Sequence, residues 1–203
     1  MWLAVLGATL LVIAAAGGTG FALTRGGGGS DGGVCKEQTF PSQGQKHVPP
    51  AKLPKGFKYN SFPPTTGPHD PQPLIFGEYT EPVPQDRLVH NQEHGGIGIQ
   101  YGPDVPKDVV ERLTAWYRTD ARGLVLAPLS PKGQGARLRD KIALTAWTAE
   151  RENPDDPQSN IVKQEGHLAI CSTFDEDEFT SFRDRYRAKG PELFSLDQLQ
   201  PGQ

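Results

Sequence analysis

Methionine is almost missing: Met1 is the only one in 203 residues. That argues against a methionine-rich site for cuprous ion, which relies on thioether sulfur. Cysteine is nearly as scarce, with Cys35 and Cys171 alone, and no C-x-x-C pair exists to carry dithiol redox chemistry. A positive excess is lacking too. With 21 basic against 24 acidic side chains the net charge is −3, which excludes the strong positive field of a nucleic-acid binder. G-x-S-x-G, the P-loop and the dinucleotide fingerprint are all absent, and with them the common signatures of serine hydrolases and nucleotide-binding enzymes.

What is abundant is glycine and proline, 24 and 19 residues. From Met1 to Thr24 the chain carries no charge, and about 20 apolar residues suffice to cross a bilayer as a helix. Residues 1–24 therefore read as a transmembrane helix or signal anchor, with a cleaved signal peptide as the alternative. No Lys or Arg precedes the run and Arg25 follows it, so charge does not fix the orientation. Residues 25–34, with GGGGSDGG inside them, form a flexible linker. Residues 35–195 suit a single domain, and 196–203 a tail.

Two cysteines in an exported domain suggest one Cys35–Cys171 disulfide closing a long loop, worth about 4 kcal/mol in the chain-entropy model. Two unrelated thiols are the alternative. Residues 35–86 are broken by proline every few positions, which blocks helix and favours extended backbone. Their Phe57, Tyr59, Phe62, Leu74, Ile75, Phe76 and Tyr79 make them an ordered wrap rather than a solvated linker. Beyond Gly95 the periodicity is regular. GIGIQY alternates as a half-buried strand, and Asp104 and Pro106 open a helix with Val109, Val110, Leu113, Trp116 and Tyr117 on one face. GLVLAPL (123–129), KIALTAW (141–147) and HLAICS (167–172) read as strands, and 148–165 as a polar excursion. The last helix is capped by Ser172 or Thr173, places Phe179, Phe182 and Tyr186 on one face, and is stopped by Gly190-Pro191. The expected class is α+β: a small mixed-sheet sandwich with two main helices, preceded by the proline-rich wrap.

The chemistry gathers in histidine. Of the five histidines, His47, His69, His90 and His94 lie in the wrap or where it meets the sheet. Imidazole is the commonest metal ligand, and three or four suit zinc or copper. His90, Glu93 and His94 also spell H-x-x-E-H, the inverted zinc-peptidase signature. That motif needs a helix, because residues four apart on a strand lie about 13 Å from each other. Pro82 and Pro84 before it and Gly95-Gly96 after it argue against one. A tight turn could still bring both imidazoles together. The structural alternative is a corner in which His, Asn91 and Glu93 satisfy the backbone of the wrap, with Asn91 capping a turn and Gly95-Gly96 supplying positive φ. His167, on a strand face with Ala169 and Cys171, reads as an edge or hydrogen-bonded residue outside the cluster.

YNSFPPTTGPH (59–69), EPVP (81–84), LVHNQEHGGIGIQY (88–101), IALTAW (142–147) and the closing F-x-x-F-R-x-x-Y-R-x-K-G-P-E (179–192) together resemble the bacterial family known as domain of unknown function 3105, from about Gln43 to Glu192. The resemblance implies a mostly membrane-anchored extracytoplasmic domain. It also implies that His47, His69, His90, Glu93 and His94 fall on the family's characteristic positions; it supplies no reaction. The chain departs from the family pattern at 148–165 and in EGHLAICSTF, which would make the Cys35–Cys171 bridge peculiar to it.

The reading is therefore a single-pass protein of the cell membrane, anchored in the lipid bilayer by its N-terminal helix, with the bulk of the chain extracytoplasmic. Its domain is expected to bind copper or zinc through His47, His69, His90 and His94, with Glu93 and Asn91 supporting them. A non-metal interaction or scaffold domain with an envelope protein partner is the alternative. A metal-dependent hydrolase stands third.

Overall fold

Strand alternation sets the two faces of the sheet. A computed structural model describes residues 32–49, 52–156 and 158–202. The uncharged run 1–24 and most of the glycine linker lie outside the described residues. Among the described residues no helix is long and apolar enough to cross a membrane.

Six strands form one mixed sheet: β1 (Cys35–Pro41), β2 (Gly77–Glu78), β3 (Ile97–Tyr101), β4 (Leu124–Pro128), β5 (Ile142–Arg151) and β6 (Ile161–Cys171). Their spatial order is β1-β6-β5-β3-β4-β2. The pairs β3–β4 and β4–β2 are parallel, and the β1–β6, β6–β5 and β5–β3 pairs are antiparallel. Three helices cover the sheet: α1 (Gln85–Glu93), α2 (Lys107–Tyr117) and α3 (Glu176–Tyr186).

Ile97, Ile99, Leu124, Leu126, Ile142 and Leu144 face α2 and α3, where Leu113, Trp116, Phe179 and Phe182 complete the larger core. The intervening residues Val125 and Ala127 face the other way, against Leu88 of α1 and Leu74, Phe76 and Val83 of the wrap. The α+β class and the mixed sheet are as expected. Five particulars differ. Among the described residues there are three α-helices, not two, because α1 forms where proline and glycine argued against it.

The proline-rich region is not wholly irregular: its first seven residues are β1, an edge strand in register with β6 from Cys35↔Cys171 to Pro41↔Glu165. Residues 148–165 are strand at both ends, since β5 runs on to Arg151 and β6 begins at Ile161, the two forming a long hairpin. Its polar composition reflects the exposure of Glu150 and Lys163. The last helix starts later than Ser172 or Thr173, at Asp175, whose side chain accepts from the Glu178 amide. The closing segment, read as a tail, carries Leu199, which is fully buried in the smaller core.

Cys35 and Cys171 are disulfide-bonded across that first β1–β6 register pair. The bridge ties the N-terminal edge strand to the sheet interior.

Candidate metal centre

The helix α1 exists because its prolines stand just outside it. Pro84 occupies the N-cap position with φ −58°, where a missing N–H leaves no intrahelical bond unmade. Asp86 sits in the first turn, favourable against the helix dipole. Leu88 and Val89 are fully buried and hold the helix on the sheet. His94 forms the C-cap, and Gly95 follows at φ +88°, a conformation that favours glycine. The expectation that these flanks bar a helix is thus corrected: they delimit a nine-residue helix, and H-x-x-E-H straddles its last turn.

The polar side chains of α1 grip the wrap. Arg87 donates to the carbonyls of Gln72 and Pro73 at 3.0 and 2.7 Å. Asn91 holds Leu74 in both directions, accepting from its amide and donating to its carbonyl at 2.8 Å each. Gln92 donates to the Pro64 carbonyl at 3.2 Å. Proline supplies acceptors without donors, so a wrap rich in it needs such partners from elsewhere. Asn91 thus fastens the wrap at Leu74 through both its side-chain atoms.

Two histidines come from the wrap itself. Residues 47 and 69 form an isolated parallel bridge, with Val48 N–H on the His69 carbonyl at 2.8 Å and His69 N–H on the Lys46 carbonyl at 3.0 Å. His47 Nε2 lies 3.2 Å and His69 Nε2 2.9 Å from the same Glu93 Oε2. The other carboxylate oxygen accepts from Gln45 at 3.1 Å. Gln45 accepts in turn from Gln164 at 2.9 Å, and Gln164 from Trp147 Nε1 at 3.2 Å. One ligand atom each from His47, His69, His90 and Glu93 lies within 4.8 Å of the others. Ligands about 2 Å from a shared ion sit about 3 Å apart, the spacing already present between Glu93 and two imidazoles.

Hydrogen bonding fixes which nitrogens face the centre. His69 Nδ1 is 2.7 Å from the Gly67 carbonyl, and His90 Nδ1 is 2.7 Å from the Asp70 carbonyl. A carbonyl can only accept, so both Nδ1 atoms carry the proton and both Nε2 lone pairs are left for the interior. The Glu93 side chain is 1% exposed and that of His69 is fully buried. Burial would raise the Glu93 carboxyl, but hydrogen bonds from His69, His47 and Gln45 outweigh it and hold the carboxyl below its usual range. Glu93 Oε2 and His69 Nε2, an imidazole nitrogen whose ring partner is already committed, therefore meet at 2.9 Å in a dry place. A proton or a cation must lie between them.

A second group shares His90. One ligand atom each from His90, His94 and Glu192 also lies within 4.8 Å of the others, and His94 Nε2 is 3.1 Å from Glu192 Oε2. Burial first, then the neighbouring His90, pushes His94 down to about 4, so it is neutral at pH 7. Burial likewise lowers His90. Glu192 is raised, by burial and by the nearby Glu93. The residue arrives there by close backbone contact: Ala188 N–H meets the Gly95 carbonyl at 2.8 Å and Glu192 N–H the Glu93 carbonyl at 3.1 Å. A Cβ on Gly190 would overlap the Glu93 carbonyl oxygen and the Gly95 amide nitrogen.

The structure brings His47, His69 and His90 together around Glu93, and sets His94 beside His90 and Glu192. His167 stands apart, its ring stacked on Tyr186 and its Nε2 2.8 Å from Thr148 Oγ1, in the hydrogen-bonded role expected of it. Sequence reasoning missed Gln45, Gln164 and Glu192. Glu192 had a signal, as the last residue of the closing motif; Gln45, two residues before His47, had only proximity.

The family model described as "Protein of unknown function (DUF3105)" matches residues 52–195. The chain belongs to that family. The matched span takes in His69, His90, Glu93, His94 and Glu192, but begins after His47 rather than near Gln43, so DUF3105 membership does not reach His47. No curated protein and no solved structure matches the chain.

Proposed function

We propose that this DUF3105 domain binds one divalent transition-metal ion, copper or zinc, through Nε2 of His47, His69 and His90 and the carboxylate of Glu93. What carries the reading is the pair of Nδ1–H···O=C bonds at 2.7 Å on His69 and His90, which turn both lone pairs toward the buried carboxylate. Main-chain or carboxylate acceptors on the outer nitrogen are the usual support of a ligating histidine. Three imidazoles and one carboxylate suit zinc or cupric ion, and copper(II) binds such a set more tightly than zinc. Glu93, buried against two imidazoles and held in its ionised form, fits a ligand better than the free general base a hydrolase requires.

The untagged full-length chain, purified and analysed for metals, is expected to hold close to one ion. The His69→Asn variant is expected to lose it, and the copper(II) form to show nitrogen couplings from its imidazoles in electron paramagnetic resonance. Metal-free protein that also fails to take up copper or zinc on titration would sink the proposal.

The grip of α1 on the wrap favours one other reading, a structural corner in an interaction domain for an envelope partner. Under it, His69→Asn lowers stability equally with and without added metal. Residues 1–24 we read as a single-pass anchor in the lipid bilayer, with the domain outside the cytoplasm. The uncharged run supports this, and so does the disulfide, which persists in oxidising compartments.

A further inference from the structure

From residue 38 to residue 69 the chain carries four lysines and no acidic side chain, although the whole protein has a net charge of −3. Lys46, Lys52, Lys55 and Lys58 are all exposed. The ion-paired lysines are Lys141 and Lys163; among the described residues the four of this segment have no carboxylate partner. Their charge is therefore free to meet anions from outside the domain.

The segment is a shaped loop with a fixed foot. Gln43 donates to the Lys58 carbonyl at 3.0 Å and accepts from the Asn60 amide at 2.9 Å. The Tyr59 hydroxyl donates to the Pro68 carbonyl at 2.6 Å. Val48 is buried on the other limb. Further out, the Phe57 amide meets the Pro54 carbonyl at 2.8 Å and Gly56 stands at φ +80°, as a type II turn requires at its third position. Lys55 occupies the second position of that turn. Leu53, just before it, is 36% exposed, and Pro49 and Pro54 are exposed too.

We propose that this loop docks on an anionic lipid surface, its lysines on the headgroups and Leu53 in the interface. Lysines around an exposed apolar side chain are the combination that binds the bilayer boundary, and each lysine close to anionic lipid strengthens binding about fivefold. The proposal rests on the reading of residues 1–24 as a bilayer anchor. A domain joined to the membrane by residues 25–34 cannot diffuse away, so a weak contact suffices to hold it down. The strand β1 separates that attachment from the loop by about 20 Å, seven residues at about 3.3 Å each. Docking therefore lays the β1 edge of the sheet along the bilayer.

The test uses the full-length chain with Leu53→Cys, labelled with a polarity-sensitive fluorophore. Cys35 and Cys171 are bridged, so the label goes to residue 53. The chain is reconstituted in phosphatidylcholine vesicles with and without phosphatidylglycerol. A blue shift in emission is expected only with phosphatidylglycerol, and molar salt should reverse it. Lys52→Gln/Lys55→Gln/Lys58→Gln in the same labelled chain should abolish it. Identical emission in both lipids would overturn the proposal, and is what a loop built for an acidic protein partner would give. A shift that survives the three lysine substitutions would overturn it as well. A full-length chain that does not float with pure phosphatidylcholine vesicles fails the anchor reading instead. The loop is then judged by flotation with phosphatidylglycerol vesicles, which should carry the wild type and leave the triple variant behind; equal flotation of the two, or none, would overturn it.

Discussion

At the residue scale, histidine burial decides the behaviour of the molecule in acid. His167 is 6% exposed, stacked on Tyr186 with centroids 4.0 Å apart, and bonded to Thr148. Burial lowers its pKa below the ordinary 6.5, with Arg185 and Lys163 adding to the shift and Glu37 and Glu165 opposing it. A depressed histidine takes its proton in the unfolded chain before it does so in the folded one. Its contribution to stability is therefore complete above about pH 6.5 and is lost as the pH falls toward the folded-state value. Each unit of depression amounts to about 1.4 kcal/mol. His90 and His94 are depressed in the same direction and act in the same window, so a difference isolates His167. Denaturant unfolding of metal-free protein at pH 5 and pH 8 should show a smaller loss in His167→Gln than in the wild type. Equal losses would mean that the His167 proton is not linked to folding.

At the scale of elements, the site hangs on how α1 ends. Gly95 turns the chain at positive φ, and Gly190 lets the segment after α3 lie against that turn. In Gly190→Ala the new methyl meets main-chain atoms, the Glu93 carbonyl oxygen and Gly95 nitrogen, which cannot swing aside as a side chain would. We expect a loss of about 1–3 kcal/mol in denaturant unfolding. An alanine variant with wild-type stability would show that the contact is slack.

This same junction is where sequence reading stopped. The strands β3 and β4 and the helices α2 and α3 declared themselves by period, since each buries one face on a common core. The helix α1 buries nearly its whole C-terminal half, His90 to Glu93 included, so it shows no polar face to mark it. Its flanking prolines read as breakers because their place relative to the first turn is not visible in composition. The four histidines could be named from their chemistry, but their pairing could not. His47 and His69 meet through one backbone bridge, and Glu192 arrives from the far end of the chain, contacts that local pattern does not encode.

At the scale of the whole molecule, the first third of the described chain is tied to the rest in two separate places, β1 on β6 and the wrap on α1. The edge strand β1 pairs with β6 alone, and beyond it the chain runs through His47 into the wrap. The disulfide fixes one end of this stretch, closing a loop of 136 residues. Under the metal-binding reading, the ion fixes the other, joining His47 and His69 of the wrap to His90 and Glu93 of α1.

Loss of the covalent tie removes loop-closure entropy worth about 4–5 kcal/mol in the chain-entropy model. Saturating metal should restore part of it, because an ion that binds only the folded chain adds about 2.7 kcal/mol at a hundred times its dissociation constant. In Cys35→Ser/Cys171→Ser, the denaturant midpoint should fall well below that of the oxidised wild type, then climb when zinc is added. The climb should vanish when His69→Asn is added to the double variant. A midpoint that ignores zinc in the double variant, while the wild type binds zinc, would show that the metal couples only to α1 and leaves the wrap free.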